Sequence, residues 1–464
     1  MKIDLAKSEI IHFVGIGGIG MSGLALIMHG MGFKVQDSNV SSNKNIERKK
    51  KKKIKISVGH NKKNIINATV LVISSAIKKN NSELLAGKIK NLPIYKRGEM
   101  LGHIASLTKN IAVVGSHGKT TTTSLIASIF SKTKIDPTII NGGVLNSFNS
   151  SARLGNSNWS ILELDESDGS FLEVLPTYAI ITNIDREHMD YYKTMDNLKN
   201  LFQKFLEKVP SFGKSFICID DKINKEIIKK IKIKNFYTYG LNAKSNFQII
   251  NITQNKNFSK FNLKIRLPGK KKYFIKNIII PILGMHNIKN ATAAIAVAIT
   301  IGISPKITKL GLLNFKGVQR RFNKIFSHKG AEFYDDYAHH PSEIKEVLNG
   351  VRAAYNKEKI ICIFQPHRIS RLKDLKKDFT LCFKKADQVI LCPIFSAGEK
   401  MRLGFNYYSF AKEIAKNSNV ELFLVKDKNN LAKFIKQNIY GDKIVIGMGA
   451  GSISNWIRDL PNLI

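Results

Sequence analysis

Short, nearly unbroken apolar runs recur along this chain, and most end in glycine, hydroxyl or acidic residues. Examples are Ile10-Ile11-His12-Phe13-Val14, Val70-Leu71-Val72-Ile73, Ile111-Ala112-Val113-Val114 and Tyr178-Ala179-Ile180-Ile181. Runs without strict alternation are those of strands buried on both faces, as in parallel sheets. Helical stretches alternate with them, at 21–29, 99–106 and 123–130, and an Ala-rich one after Pro281 runs to Thr300. Beyond Arg320 the alternation resumes, with strands expected at 331–336, 360–364, 388–392, 421–425 and 444–448. Only 211–280 is less regular, and it reads as hairpins or an insertion. The pattern is that of an α/β protein with mostly parallel sheets.

A chain of 464 residues exceeds what one core supports. Changes in pattern place boundaries near 108 and 322, giving domains at 1–107, 108–322 and 323–464. Hydrophobic content of 43% and charged content of 23% exclude a disordered chain. The four cysteines have no C-x-x-C pairing, which fits reduced thiols. Residues 10–28 are apolar but broken by His12 and five glycines, with no cleavage site after them. No run is long enough to span a membrane. A soluble, cytoplasmic protein is expected. The net charge of +39 would suit nucleic acid, but the lysines are spread along the chain. The only tight runs, 49–53 and 270–272, lack interleaved aromatics, so a solvated basic surface without nucleic-acid or membrane binding is expected.

Chemistry concentrates where the runs end. Ile111–Val114 leads into Gly115-Ser116-His117-Gly118-Lys119-Thr120-Thr121, and a helix follows. This is the strand–loop–helix context of a phosphate-binding loop, although its glycines are closer together than in the commonest spacing. Backbone N–H groups and a helix N-terminus attract an anion, and Lys119 adds a full charge. The Thr120 hydroxyl suits Mg²⁺. ATP or GTP is the expected ligand. Earlier, Gly15-Ile16-Gly17-Gly18-Ile19-Gly20 is a literal G-x-G-x-x-G, with Asp37 near the end of the next strand as its ribose-binding acid. Such a loop binds a diphosphate, whether of NAD or of a UDP-sugar. Two further strands end in Asp165-Glu166-Ser167-Asp168 and Asp185-Arg186-Glu187-His188, on the expected edge of the phosphate loop. Their carboxylates and imidazole suit Mg²⁺ bridging nucleotide phosphates. His286, Asn287 and Asn290 open the Ala-rich helix, and by spacing alone they read as caps. In the last domain, polar clusters follow the strands at 335–341, at Gln365-Pro366-His367-Arg368 with Arg371, and at 449–452. Cations there suit anionic substrate groups.

Taken together, HFVGIGGIGMSGLA, SVGHN, VISSAI, GSHGKTTTTS, NGGVLNS, ELDESDGSFL, TNIDREHMDYY, GMHNIKNATAA, RRF, YDDYAHHPSEI and FQPHRISR closely resemble the Mur ligases, and within them the alanine-adding branch. The match runs in order over essentially the whole chain. The resemblance implies an N-terminal Rossmann-like UDP-binding domain, a central P-loop ATPase with a mostly parallel sheet, and a C-terminal Rossmann-like amino-acid domain. It implies a UDP-sugar held by Gly15, Gly17, Gly18, Gly20, Ser74, Ser75 and Arg97. ATP would lie against Gly115 to Thr121, with His286, Asn287 and Asn290 on adenine, and Arg321 and Asp336 reaching it from the far side of the cleft. Thr120, Glu166 and His188 would hold Mg²⁺ or Mn²⁺, and Lys119, Glu166, His188 and Arg321 would be catalytic. His339, His367, Arg368 and Arg371 would take the amino acid. The implied substrates are UDP-N-acetylmuramate, L-alanine and ATP, in a monomer or homodimer. One departure is visible. Where the family usually has Ser-Gly-Ser-Asp after the second strand, this chain has Gln36-Asp37-Ser38-Asn39.

The rival readings are a sister ligase adding a tripeptide to the same sugar, a folate polyglutamate ligase, a nicotinamide oxidoreductase and a basic nucleic-acid-binding ATPase. GIGGIGMSG argues against the first two, and Gly-Lys-Thr against the oxidoreductase. The last rests on net charge alone.

Overall fold

The computed structural model describes residues 8–39, 54–399 and 405–464, so the lysine run at 49–53 lies outside the described residues. Two compact units divide the chain. One comprises Met1–Ile252, Phe261–Ile279 and Lys289–Lys316, the other Thr253–Lys260, Ile280–Ile288 and Gly317–Ile464.

The first unit opens with β1 (Ile10–Val14), β2 (Lys34–Asn39), β3 (Lys55–Val58), β4 (Val70–Ile73) and β5 (Ile94–Lys96). Their order is β3-β2-β1-β4-β5, with every pair parallel. The order changes direction between β1 and β4, a topological switch point, and the turn after β1 lies there. Helix α1 (Ile19–Gly30) follows that turn; α2 (Ser82–Ile89) and α3 (Arg97–Ser106) come later.

The larger sheet begins with β6 (Lys109–Val114), whose last five residues are buried. It continues with β7 (Thr138–Leu145), β8 (Ser150–Arg153), β9 (Trp159–Glu163) and β10 (Tyr178–Ile181). Then come β11 (Lys214–Cys218), β12 (Phe236–Gly240), β13 (Phe247–Gln254), β14 (Ser259–Ile265) and β15 (Tyr273–Ile280). The order is β15-β14-β13-β12-β11-β10-β6-β9-β7-β8. β6 lies parallel between β9 and β10, so its loop also opens at a switch point. Helix α4 (Lys119–Phe130) starts straight after that loop. The irregular stretch turned out more regular than expected: β11, helix Lys222–Lys230 and β12 extend the parallel sheet, because Phe216 and Ile217 are fully buried and Asp221 caps the helix. One core joins the two sheets of this unit, from Phe13, Leu24 and Met28 to Leu162, Phe171 and Phe205.

The second unit carries β16 (Asn323–His328), β17 (Ala331–Asp336), β18 (Lys359–Phe364), β19 (Gln388–Leu391), β20 (Glu421–Leu424) and β21 (Lys443–Met448). The order is β16-β17-β21-β18-β19-β20, parallel except for β16. Alternate residues of β18 enter separate cores, Cys362 and Phe364 on one face and Ile361 and Ile363 on the other. All four cysteines are buried and unpaired. Among the described residues no helix is long and apolar enough to cross a membrane.

Candidate active site

The loop after β6 is shaped by its glycines. Gly115 has φ +136°, and a Cβ there would lie 2.1 Å from Thr182 Oγ1. Gly118 has φ +83°, and a Cβ there would lie 2.5 Å from Asn290 Oδ1. Only glycine meets both demands. The end of β10 braces the loop: Asn183 O accepts from Ser116 N (2.9 Å), and its Oδ1 accepts from His117 N (2.9 Å). Thr182 Oγ1 and Asn183 Nδ2 donate to His117 O. The His117 ring meets Asp185 at 3.1 Å.

Lys119 is the first residue of α4. Its Nζ donates to Gly115 O (2.6 Å) and Ser116 O (3.1 Å) and pairs with Glu166 at 2.8 Å. Burial opposes its charge, but the carboxylates of Glu166 and Glu163 outweigh burial and hold it above the ordinary lysine value. A permanent cation therefore sits at the helix N-terminus. Thr120 Oγ1 donates to Glu163 (2.9 Å), and Gly142 N donates to the other oxygen of that carboxylate. Sequence reasoning did not select Glu163, although it ends an apolar strand on the same sheet edge. Tyr192 O–H holds the Glu166 carbonyl. His188 adopts φ +56° and lies 3.6 Å from Glu166. Burial works against its protonation, and the contact with Glu166 more than reverses that, so its pKa is raised. Ligand atoms of Glu166, Glu187 and His188 lie within 4.8 Å of one another. Carboxylate oxygens and one imidazole are a donor set that suits Mg²⁺ or Mn²⁺, and the Thr120 hydroxyl is bonded to the further carboxylate of Glu163.

The first glycine loop is seated on the end of β2. Ser38 O accepts from Gly15 N (3.0 Å) and Ile16 N (3.3 Å), and Asn39 Oδ1 accepts from Gly17 N (3.1 Å). Gly18 is the N-cap of α1. Ser74 lies at the end of β4 beside Gly15, and Ser75 is exposed. Asp37 departs from the ribose-acid expectation. It pairs in register with Phe13 and Ile56 inside the sheet and is 1% exposed, so the residue at the strand end is Asn39. Arg97 lies against Gly20 and donates to Asp165 (3.2 Å) and Ser170 (3.3 Å). Burial would raise the Asp165 pKa, but Arg97 lowers it further. One guanidinium thus links the start of α1 to the DESDGS stretch.

Asn290 is 5% exposed and abuts Gly118. Within the second unit, His286 abuts Gly284, and Asn287 Nδ2 donates to Leu283 O (2.6 Å), a bond back to the preceding turn rather than the N–H acceptance of a cap. In the same unit His339 meets His367 edge-on at 5.9 Å, and Phe395 stacks on His367 at 5.5 Å. Arg371 donates to His367 O (3.2 Å). Arg368 holds φ +67°, a strained conformation costing about 1–3 kcal/mol that packing must offset. Burial first, then His339 and the two arginines, push the His367 pKa down to about 4, leaving a neutral ring among cations. Asp336 accepts from Phe322 N and Ala338 N, both at 2.8 Å. Its burial outweighs the Arg321 charge and raises its pKa to about 6.

Three family models cover most of the chain: the catalytic domain of the Mur ligase family over 10–109, the Mur ligase middle domain over 113–298, and the Mur ligase glutamate ligase domain over 320–451. A curated UDP-N-acetylmuramate–L-alanine ligase from Pelagibacter ubique is 70% identical over 464 residues, covering 100% of both chains. The chain belongs to the Mur ligase family. A UDP-N-acetylmuramate–L-alanine ligase from Rickettsia bellii is 44% identical, covering 99% of this chain and 98% of its own. Among solved structures, a UDP-N-acetylmuramate–alanine ligase from Thermotoga maritima superposes with TM-score 0.82 at 27% identity, covering 97% of this chain and 98% of its own. The loop at Gly115–Thr121 of this Mur ligase is braced from two sides, by Glu163 at the end of β9 and by Thr182 and Asn183 after β10.

Proposed function

We propose that this Mur ligase joins L-alanine to the lactyl carboxylate of UDP-N-acetylmuramate, with ATP converted to ADP and phosphate, in peptidoglycan precursor synthesis. The observation that carries this reading is the 70% identity, over the full length of both chains, to a ligase of that name. A carboxylate is a poor electrophile, so ATP first phosphorylates it to an acyl phosphate. The amine of alanine attacks that carbonyl, a tetrahedral intermediate forms, and phosphate leaves as the amide closes. Phosphoryl transfer demands positioning and charge neutralisation rather than a protein nucleophile. Lys119 supplies a fixed charge to the transferring phosphoryl group, and the N–H groups at the start of α4 orient it. Thr120, Glu163, Glu166, Glu187 and His188 would hold Mg²⁺ or Mn²⁺, which neutralises phosphate charge when bound. Gly15, Gly17, Gly18, Gly20, Ser74, Ser75 and Arg97 are assigned to the UDP-sugar, and Asn290, His286, Asn287, Arg321 and Asp336 to ATP. His339, His367, Arg368 and Arg371 are assigned to the amino acid; two guanidiniums match an α-carboxylate. The setting is the cytoplasm, as a monomer or homodimer.

Phosphate release from ATP, with UDP-N-acetylmuramate and each amino acid in turn, tests the reading. Release requiring both the UDP-sugar and L-alanine is expected. Release with a tripeptide in place of alanine would move the chain to the sister ligase.

A further inference from the structure

We propose that Glu83 is a positioning residue for the UDP-sugar, acting through the strand end on which the first glycine loop is seated. The inference rests on the reading that this loop binds the UDP diphosphate. Glu83 lies in the first turn of α2, far in sequence from the loop, and is fully buried. Its Oε2 accepts from Ser38 Oγ (2.5 Å) and contacts His60 Nδ1 (3.1 Å) and His12 Nε2 (3.4 Å). Its Oε1 accepts from Asn61 N (3.2 Å) and Asn64 Nδ2 (2.6 Å). One carboxylate thus gathers β1, β2 and the segment after β3.

What makes the arrangement more than a satisfied core acid is its direction. Ser38, whose hydroxyl Glu83 holds, offers its carbonyl to the N–H groups of Gly15 and Ile16. The next residue, Asn39, takes the N–H of Gly17 with its side chain and that of Gly59 with its carbonyl. The path from Glu83 to the glycine loop is therefore two hydrogen bonds long. His60 touches both Ser38 Oγ (3.1 Å) and Glu83, which fixes the same hydroxyl from a second side. The N–H groups left for a diphosphate are those at the start of α1, and their orientation follows from the turn that Ser38 and Asn39 hold in place. Burial by itself disfavours the ionised carboxyl, but its donors prevail and push the Glu83 pKa down to about 2. The anchor keeps its charge throughout the physiological range.

The test compares wild type, Glu83→Gln and Ser38→Ala at a temperature well below each melting midpoint. Glu83→Gln keeps size but presents a donor to the Ser38 hydroxyl and His60, whereas Ser38→Ala removes the linking hydroxyl. For both variants, KM for UDP-N-acetylmuramate and the calorimetric Kd for UDP should rise about tenfold. KM for ATP and kcat should stay within about twofold, and the double variant should be no worse than the poorer single one. Glu83→Asp should fall between Glu and Gln. A parallel rise in KM for ATP, or unchanged UDP-sugar affinity in either folded variant, overturns the proposal. Should Glu83→Gln fail to fold, Ser38→Ala alone decides it. If wild type itself binds no UDP-sugar, the reading of the loop has failed rather than the role of Glu83.

Discussion

Replacing Lys119 separates the chemistry of the phosphate loop from the rest of the protein. Lys119 and Glu166 pair at 2.8 Å with side chains 14% and 3% exposed. At an effective dielectric of 20 the attraction is about 6 kcal/mol, most of it offset by desolvation of both groups. Truncating one partner of such a pair typically costs about 3–5 kcal/mol, because the other charge is left buried. Glu163 remains beside the lysine when Glu166 is neutralised, so Glu166→Gln should cost less, about 1–2 kcal/mol. Lys119→Met keeps the aliphatic stem but withdraws the cation from Glu166 and the donors from Gly115 O and Ser116 O. It should destabilise by about 3 kcal/mol. In the double variant the two losses overlap, and a coupling of about 2 kcal/mol is expected.

Urea unfolding of the four proteins, without added nucleotide, reads the coupling directly. Raising the salt should leave it nearly unchanged, since a buried pair is poorly screened. Turnover by Lys119→Met should fall at least about a thousandfold, while the Kd for the UDP-sugar stays within about twofold of wild type. Additive free energies, or loss of UDP-sugar binding together with turnover, would refute the reasoning.

The other predictions are simpler. Arg371→Ala should raise KM for alanine about tenfold or more and KM for ATP far less, read from initial rates of phosphate release. Gly115→Ala should cost more than about 2 kcal/mol, since its Cβ would fall 2.1 Å from Thr182 Oγ1; a thermal midpoint within a degree of wild type would contradict this. Chelation should abolish turnover reversibly, and Glu163→Gln should raise the Mg²⁺ concentration needed for half-maximal rate. Finally, the folded pKa of Glu83 lies below its unfolded value of 4.5, so its contribution is complete above pH 4.5 and is lost as pH falls toward about 2. That contribution is on the order of 3 kcal/mol. Acid unfolding of Glu83→Gln should be correspondingly flatter than wild type over this window.

What could be read in advance follows from how local each signal is. The Gly115–Thr121 loop was legible because strand, turn and helix are contiguous, even though the contacts that demand its glycines, Thr182 and Asn290, lie far along the chain. The same holds for the strands of the second unit, whose apolar runs match β17 to β21 to within a residue or so. The antiparallel β16 was missed because Asn323–His328 alternates weakly and owes its place to pairing with β17. Lys214–Gly240 was read as irregular because its lysines and asparagines hide a buried Phe216-Ile217 pair. Glu163 was passed over because a single acid at a strand end is indistinguishable from a cap until Thr120 is seen to donate to it. Glu83 gave no signal at all: the groups it gathers are spread from 12 to 64, and only the sheet brings them together.

The two glycine loops look alike as sequence but differ in what completes them. At Gly115–Lys119 the cation comes from the loop itself, and Asn183 after β10 takes the N–H groups of Ser116 and His117. At Gly15–Gly20 no lysine follows, and the first three N–H groups of the turn are directed to Ser38 and Asn39. The anion-binding capacity that remains is the N-terminus of α1, with Arg97 beside Gly20 as the nearby full charge. Arg97 is also bound to Asp165, one residue from Glu166, which pairs with Lys119. Different nitrogens of the one guanidinium face Gly20 and Asp165, so Arg97 can meet an anion at the start of α1 while it holds the acid next to Glu166.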